Sequence, residues 1–155
     1  MSGLSRLAPL ALALVVSCGG TAVAAAPVRV SAPATDLIFL VNGGIEEPLG
    51  PGELVPLAGA LTARFILRPG DGPGRRVLEI ELASGGNVEE GAAISAAAHM
   101  RYMDHGSFTA VALSDGPGHY VMALPFARAG DWEVELTIKT TATRASVPLA
   151  LSVLR

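Results

Sequence analysis

Apolar and polar residues alternate along much of this chain with a period of two. In RVLEIELA, Leu78, Ile80 and Leu82 fall on one side, with Glu79 and Glu81 on the other. In DWEVELTIK, Trp132, Val134, Leu136 and Ile138 alternate with Glu133, Glu135 and Thr137, and Val147, Leu149, Leu151 and Val153 repeat the pattern near the C-terminus. Successive side chains of a strand point to opposite faces, so this pattern predicts antiparallel sheet with one face buried and one wet.

Apolar runs at strand spacing lie between turn signals over residues 36–155. They are DLIFLVN, ALTARFILR, RVLEIELA, GAAISAAAHM, SFTAVALS, HYVMALPF, DWEVELTIK and ASVPLALSVL. GGIEEPLGPGELVP reads as a Gly/Pro-rich loop. The alanines of GAAISAAAHM favour a helix by propensity, but Ile94, Ala96, Ala98 and Met100 alternate, which makes a strand the better reading. About seven or eight strands with no convincing helix predict an all-β fold, an antiparallel β-sandwich. SFTAVALS and HYVMALPF are expected to form a hairpin through DGPG. Pro125 and Pro148 fall within strands, which should therefore be edges or bulged there, because proline has no N–H for the ladder. DGPGHY is similar to a tyrosine corner with one extra residue of spacing, and a Gly-Pro turn followed by a core tyrosine explains it equally well.

The N-terminus departs from this pattern. MSGLSR carries one arginine and no acid, and LAPLALALVVS is an apolar run too short for a stable membrane anchor, so residues 1–26 read as a secretory signal. Two processing points compete. Val15-Val16-Ser17-Cys18 has the form of a lipobox, which would make Cys18 a lipidated N-terminus, and Ala22-Val23-Ala24 suits ordinary signal peptidase. Either outcome leaves no cysteine for an intramolecular disulfide and directs the protein to the periplasm or cell envelope. Lipidation would supply the only membrane attachment. Residues 27–35 (PVRVSAPAT) read as a tether, and residues 36–155 as the domain.

Composition narrows the function classes. Half of the residues are hydrophobic and 16% are charged, with a formal net charge of -3. No basic stripe could neutralise a run of phosphates, and aromatics are scarce at 5%, so nucleic-acid binding is not expected. Nor is enzyme activity. Ser107 follows His105 without a G-x-S-x-G elbow, and PGDGPG lacks the Lys-Ser/Thr of a phosphate loop.

HMRYMDHG, residues 99–106, is the one segment with candidate chemistry. Thioether sulfur suits Cu(I), and imidazole binds copper in either oxidation state. On an extended strand His99 and Met103 would stand about 13 Å apart, so they can share an ion only if the chain turns between them. Met103 and His105, at roughly 6.6 Å, can reach one ion. The candidate ligands are therefore Met103 and His105, with His99 or Met100 joining if the strand breaks near Arg101. His119, at the expected DGPG hairpin, lies at the opposite end, and Met122 alternates with core positions. The same cluster also reads as a strand end whose methionines pack and whose histidines and Asp104 are solvated.

GGNVEEGAAISAAAHMRYMDHG, followed by DGPGHYVMALPFARAGDWEVELTI, resembles the YtkA-like family, with a similar pattern in FixH-like proteins. The matching features are a turn leading into a strand (Gly86 to Ala92), a methionine-rich segment ending near a histidine (Met100 to His105), and a G-x-Y strand followed by G-x-W (Gly118 and Tyr120 through Gly130 and Trp132). They cover about residues 76–140. The resemblance implies an exported, immunoglobulin-like domain associated with copper handling, its partner a membrane complex or a copper-receiving protein. Members commonly carry a proline-methionine-glycine arrangement where this chain has Arg101 and Tyr102 beside its methionines. The expected function is copper binding or delivery outside the cytoplasm. The alternative is a metal-free interaction module of a cell-envelope complex.

Overall fold

The computed structural model describes residues 35–103 and 106–155. The signal, Cys18, nearly all of the tether, Asp104 and His105 lie outside the described residues. The strands are β1 (Leu37–Asn42), β2 (Ile45–Leu49), β3 (Leu54–Pro56), β4 (Leu61–Pro69), β5 (Arg75–Ser84), β6 (Asn87–Val88), β7 (Ala93–Met100), β8 (Ser107–Val111), β9 (Leu113–Ser114), β10 (His119–Pro125), β11 (Gly130–Lys139) and β12 (Arg144–Val153). They form two antiparallel six-stranded sheets, ordered β2-β1-β12-β11-β7-β8 and β3-β4-β5-β10-β9, with β6 also on β5. This is the all-β sandwich that the period-two pattern predicts.

Alternation accounts for the core. Phe65, Leu78, Ile80, Met122 and Leu124 of the second sheet face Trp132, Val134, Leu136, Ile138, Val147, Leu149 and Leu151 of the first, in one apolar cluster. No polar or charged side chain is buried among the described residues. Met122 packs in this core. β7 is a strand despite its alanines, because β11 and β8 pair with it on both sides and Ile94, Ala96 and Ala98 all turn inward. Pairing and burial override local propensity there.

Four expectations need correction. GGIEEPLGPGELVP is not a single loop. Gly43 (φ 57) and Gly44 (φ 86) supply the left-handed turn that a two-residue hairpin requires, so β1 and β2 pair through Asn42↔Ile45, and Leu54–Pro56 forms β3. SFTAVALS is not one strand of a hairpin, since β8 stays on β7 while β9 crosses to β10. Pro148 lies within an unbulged central strand, where the β1–β12 ladder ends at Leu40↔Leu149, one residue before a proline that has no N–H to give. Tyr120 makes no tyrosine corner. Its hydroxyl donates to Glu89 O (3.0 Å) and accepts from Ala92 N–H (3.0 Å), pinning the approach to β7 instead of backbone a few residues upstream.

The end of the β1–β12 ladder has a further consequence. Four strand steps separate β2 from β7, about 19 Å in a flat sheet. Yet Arg101 Nη2, just past β7, lies 2.5 Å from Glu46 Oε1 on β2. The sheet curls, and the β1–β2 hairpin leans over its outer face.

Candidate functional site

The segment with candidate chemistry lies at the turn between β7 and β8. His99 pairs with Ser107, and Met100 N–H donates to Gly106 O (3.1 Å), which closes the base of the turn. Arg101 and Tyr102 reverse the chain. Tyr102 has φ 63 and is the one non-glycine residue with positive φ among the described residues. Gly106 has φ 113, a conformation that favours glycine, and a Cβ there would come 3.2 Å from Trp132 Cη2, pressing on the indole.

Strand parity separates the candidate ligands. His99 points outward with 62% of its side chain exposed, and its Nε2 lies 2.8 Å from Glu133 Oε2, the residue opposite it on β11. Met100 turns to the inner face, packs against the core and places its Cε over Gly130. His99 and Met100 therefore diverge, and Met100 is a packing residue here. Met103 is 45% exposed. It lines one open depression with His99, Met100, Arg101, Tyr102 and Glu133. The chain turns at Arg101–Tyr102, between His99 and Met103, and both residues line this depression. His105 is outside the described residues. His119 lies on the outward face of the other sheet, opposite Glu81, its Nδ1 3.8 Å from Glu81 Oε1.

Sequence reasoning missed the ionic chain beneath this depression. Glu133 Oε2 lies 2.8 Å from His99 Nε2, Glu133 Oε1 accepts from Arg101 Nε (2.9 Å), and Arg101 Nη2 reaches Glu46. Arg101 is also held by its backbone, whose N–H donates to Asp131 O (2.9 Å). The hydrogen bond that Arg101 donates to Glu46 raises the Arg101 pKa above the ordinary guanidinium value, opposed by partial desolvation and reinforced by Glu133. Two carboxylates against one guanidinium leave the neighbourhood net negative, which suits a cation. The outward position of Glu133 was visible in the alternation of β11. Its register against His99 was not.

Among the described residues there is no group of three or more His, Cys, Asp or Glu side chains able to hold a metal ion. The described donors at this depression are the His99 imidazole, the Met103 thioether and the Glu133 carboxylate, and the thioether is a soft ligand of the kind that suits copper. The chain matches no model of a known protein family, no curated protein and no solved structure.

Proposed function

We propose that this chain is an exported β-sandwich accessory protein that binds copper outside the cytoplasm and passes it to a membrane complex or a copper-receiving protein. Met103 and His105 act as the principal ligands, and His99 joins them. The observation that carries the proposal is the turn at Arg101–Tyr102, which leaves His99 and Met103 lining one open depression. An open site with few soft donors suits transfer better than permanent storage, because an incoming ligand can reach the ion. The resemblance to the YtkA-like family over residues 76–140 and the secretory signal with Cys18 support the same assignment.

Titration with Cu(I) against a competing chelator tests it. Met103→Leu keeps the apolar volume and removes the sulfur, so it and His105→Ala should each weaken binding tenfold or more, about 1.4 kcal/mol. His119→Ala should leave affinity unchanged. If the unmodified protein fails to compete with a chelator of micromolar affinity, the copper proposal falls.

One observation favours the metal-free interaction module in that event. Tyr102 is 92% exposed beside the 45% exposed Met103. An exposed aromatic on a turn is a ready anchor for a partner's pocket.

A further inference from the structure

We infer that β8 is an interface strand whose partner is β8 of a second copy of this chain, paired antiparallel about a two-fold axis at Thr109. The pairing is independent of copper binding. β8 ends the first sheet, with β7 on one side and no strand on the other among the described residues. Two hydrogen bonds bracket its ladder with β7, Met100 N–H to Gly106 O (3.1 Å) and Ala112 N–H to Ile94 O (2.9 Å). Bonded and open pairs alternate along an antiparallel ladder. Phe108 and Ala110 therefore face β7, and Ser107, Thr109 and Val111 turn their N–H and C=O groups away from it.

A free row of backbone groups is ordinarily guarded by charge, proline or brevity. The other edges follow that rule. β2 (IEEPL) carries Glu46, Glu47 and Pro48, β3 ends in Pro56 after 3 residues, and β9 has only 2. β8 has 5 residues, and no charged residue or proline lies between Gly106 and Ser114. Val111 is 67% exposed, and Leu113 just beyond it 68%. Phe108 and Ala110, on the inner face, are only partly buried, so the core is open along this side.

A second copy fits this edge because β8 is complementary to itself. With Thr109 opposite the second Thr109, Ser107 meets Val111 and Phe108 meets Ala110, in both directions. The bonded positions of that pair are 107, 109 and 111, the ones whose backbone groups point outward, so each free N–H finds a free carbonyl. Inner-face residues then meet inner-face residues. The seam brings no like charges together, although each chain carries a net charge of -3.

The test uses the full chain with Cys18→Ala, so that no lipid anchor can bring copies together. Sedimentation equilibrium should show a reversible monomer–dimer equilibrium below about 1 mM. Hydrogen exchange followed by NMR should show the amides of Ser107, Thr109 and Val111 gaining protection as concentration rises, while those of Phe108 and Ala110, already bonded to β7, change little. Thr109→Lys would set two like charges on Cα atoms about 5.5 Å apart, and should weaken the dimer roughly tenfold or more with an unchanged far-UV circular dichroism spectrum. Thr109→Pro, which removes the central N–H, should do the same; Thr109 is exposed, so the lysine variant keeps its fold even where the proline variant does not. A chain that stays monomeric to that concentration, a dimer in which the three amides exchange as before, or a lysine variant that dimerises as well as the unmodified chain overturns the inference. So does a monomer whose three amides are protected only by an unrelated extended peptide, which would make the edge a receptor for foreign strands.

Discussion

Replacing Trp132 with alanine tests how the two sheets are joined beneath the candidate site. Trp132 is 1% exposed, and its ring lies 5.7 Å from Phe108 of the same sheet and 5.1 Å from Phe126, which follows β10 of the other. Phe108 and Phe126 complete the cluster edge to face at 5.4 Å and 77°. The indole N–H donates to Arg128 O at 3.2 Å. Truncating a buried tryptophan to alanine costs about 3–5 kcal/mol. The aromatic contacts, about 0.5–1.5 kcal/mol per pair beyond area, and the lost hydrogen bond place this site at the upper end, about 4–5 kcal/mol. For a domain of about 120 residues, each kcal/mol corresponds to about 4 °C in Tm, so melting should fall by about 16–20 °C. Trp132 is the sole tryptophan, so the variant has no indole fluorescence and the comparison must follow far-UV circular dichroism during heat or urea unfolding. A loss below about 1 kcal/mol would refute the packing described here, since no fully buried aromatic is that cheap to remove.

Two further substitutions probe backbone and ion-pair energetics. Tyr102→Gly should leave stability unchanged or raise it by up to about 1 kcal/mol in urea unfolding, because the residue is 92% exposed, has little packing to lose and adopts φ 63; a loss above about 1 kcal/mol would mean the tyrosine ring makes a stabilising contact. Asp36 pairs with Arg76, both side chains only 11% exposed, and also accepts from Leu154 N–H at 2.7 Å. Asp36→Ala should therefore cost about 3 kcal/mol, since it leaves a largely buried guanidinium without its carboxylate, and a cost below about 1 kcal/mol would show that water replaces it.

The sheet architecture was legible because its cause is local. Leu78-Ile80-Leu82 and Trp132-Val134-Leu136-Ile138 needed no partner to reveal which face they bury. Errors arose where a non-local term decided the outcome. Nothing within SFTAVALS says that the chain changes sheets at Ala112; that follows from Ala112 N–H donating to Ile94 O (2.9 Å) while Leu113 pairs with Val121. Pro148 suggested an edge or a bulge by its own chemistry, yet a central strand accepts it because the neighbouring β1 departs at that residue. The Gly43-Gly44 hairpin was the one miss with a readable signal, a turn pair of the kind two-residue hairpins favour.

The candidate site divides along the same line. Residue types are local, so the soft donors of HMRYMDHG stood out at once, and parity is local too: the alternation that makes residues 93–100 a strand already sends Met100 inward and His99 outward. The partner of His99 is not local. β7 and β11 are separated in sequence by β8, β9 and β10, the last two of them in the other sheet, so their register is set by the length of that excursion and by how the core closes. One residue of slip would place Trp132 or Val134 opposite His99 instead of Glu133 and would turn the apolar face of β11 to water, a change of several buried side chains at about 1.5–3 kcal/mol each. The register that brings a carboxylate to His99 is therefore enforced by the core, far more strongly than the exposed His99–Glu133 contact could enforce it. Substitutions at His99 or Glu133 can accordingly alter the site's chemistry while the sandwich that presents it remains in place.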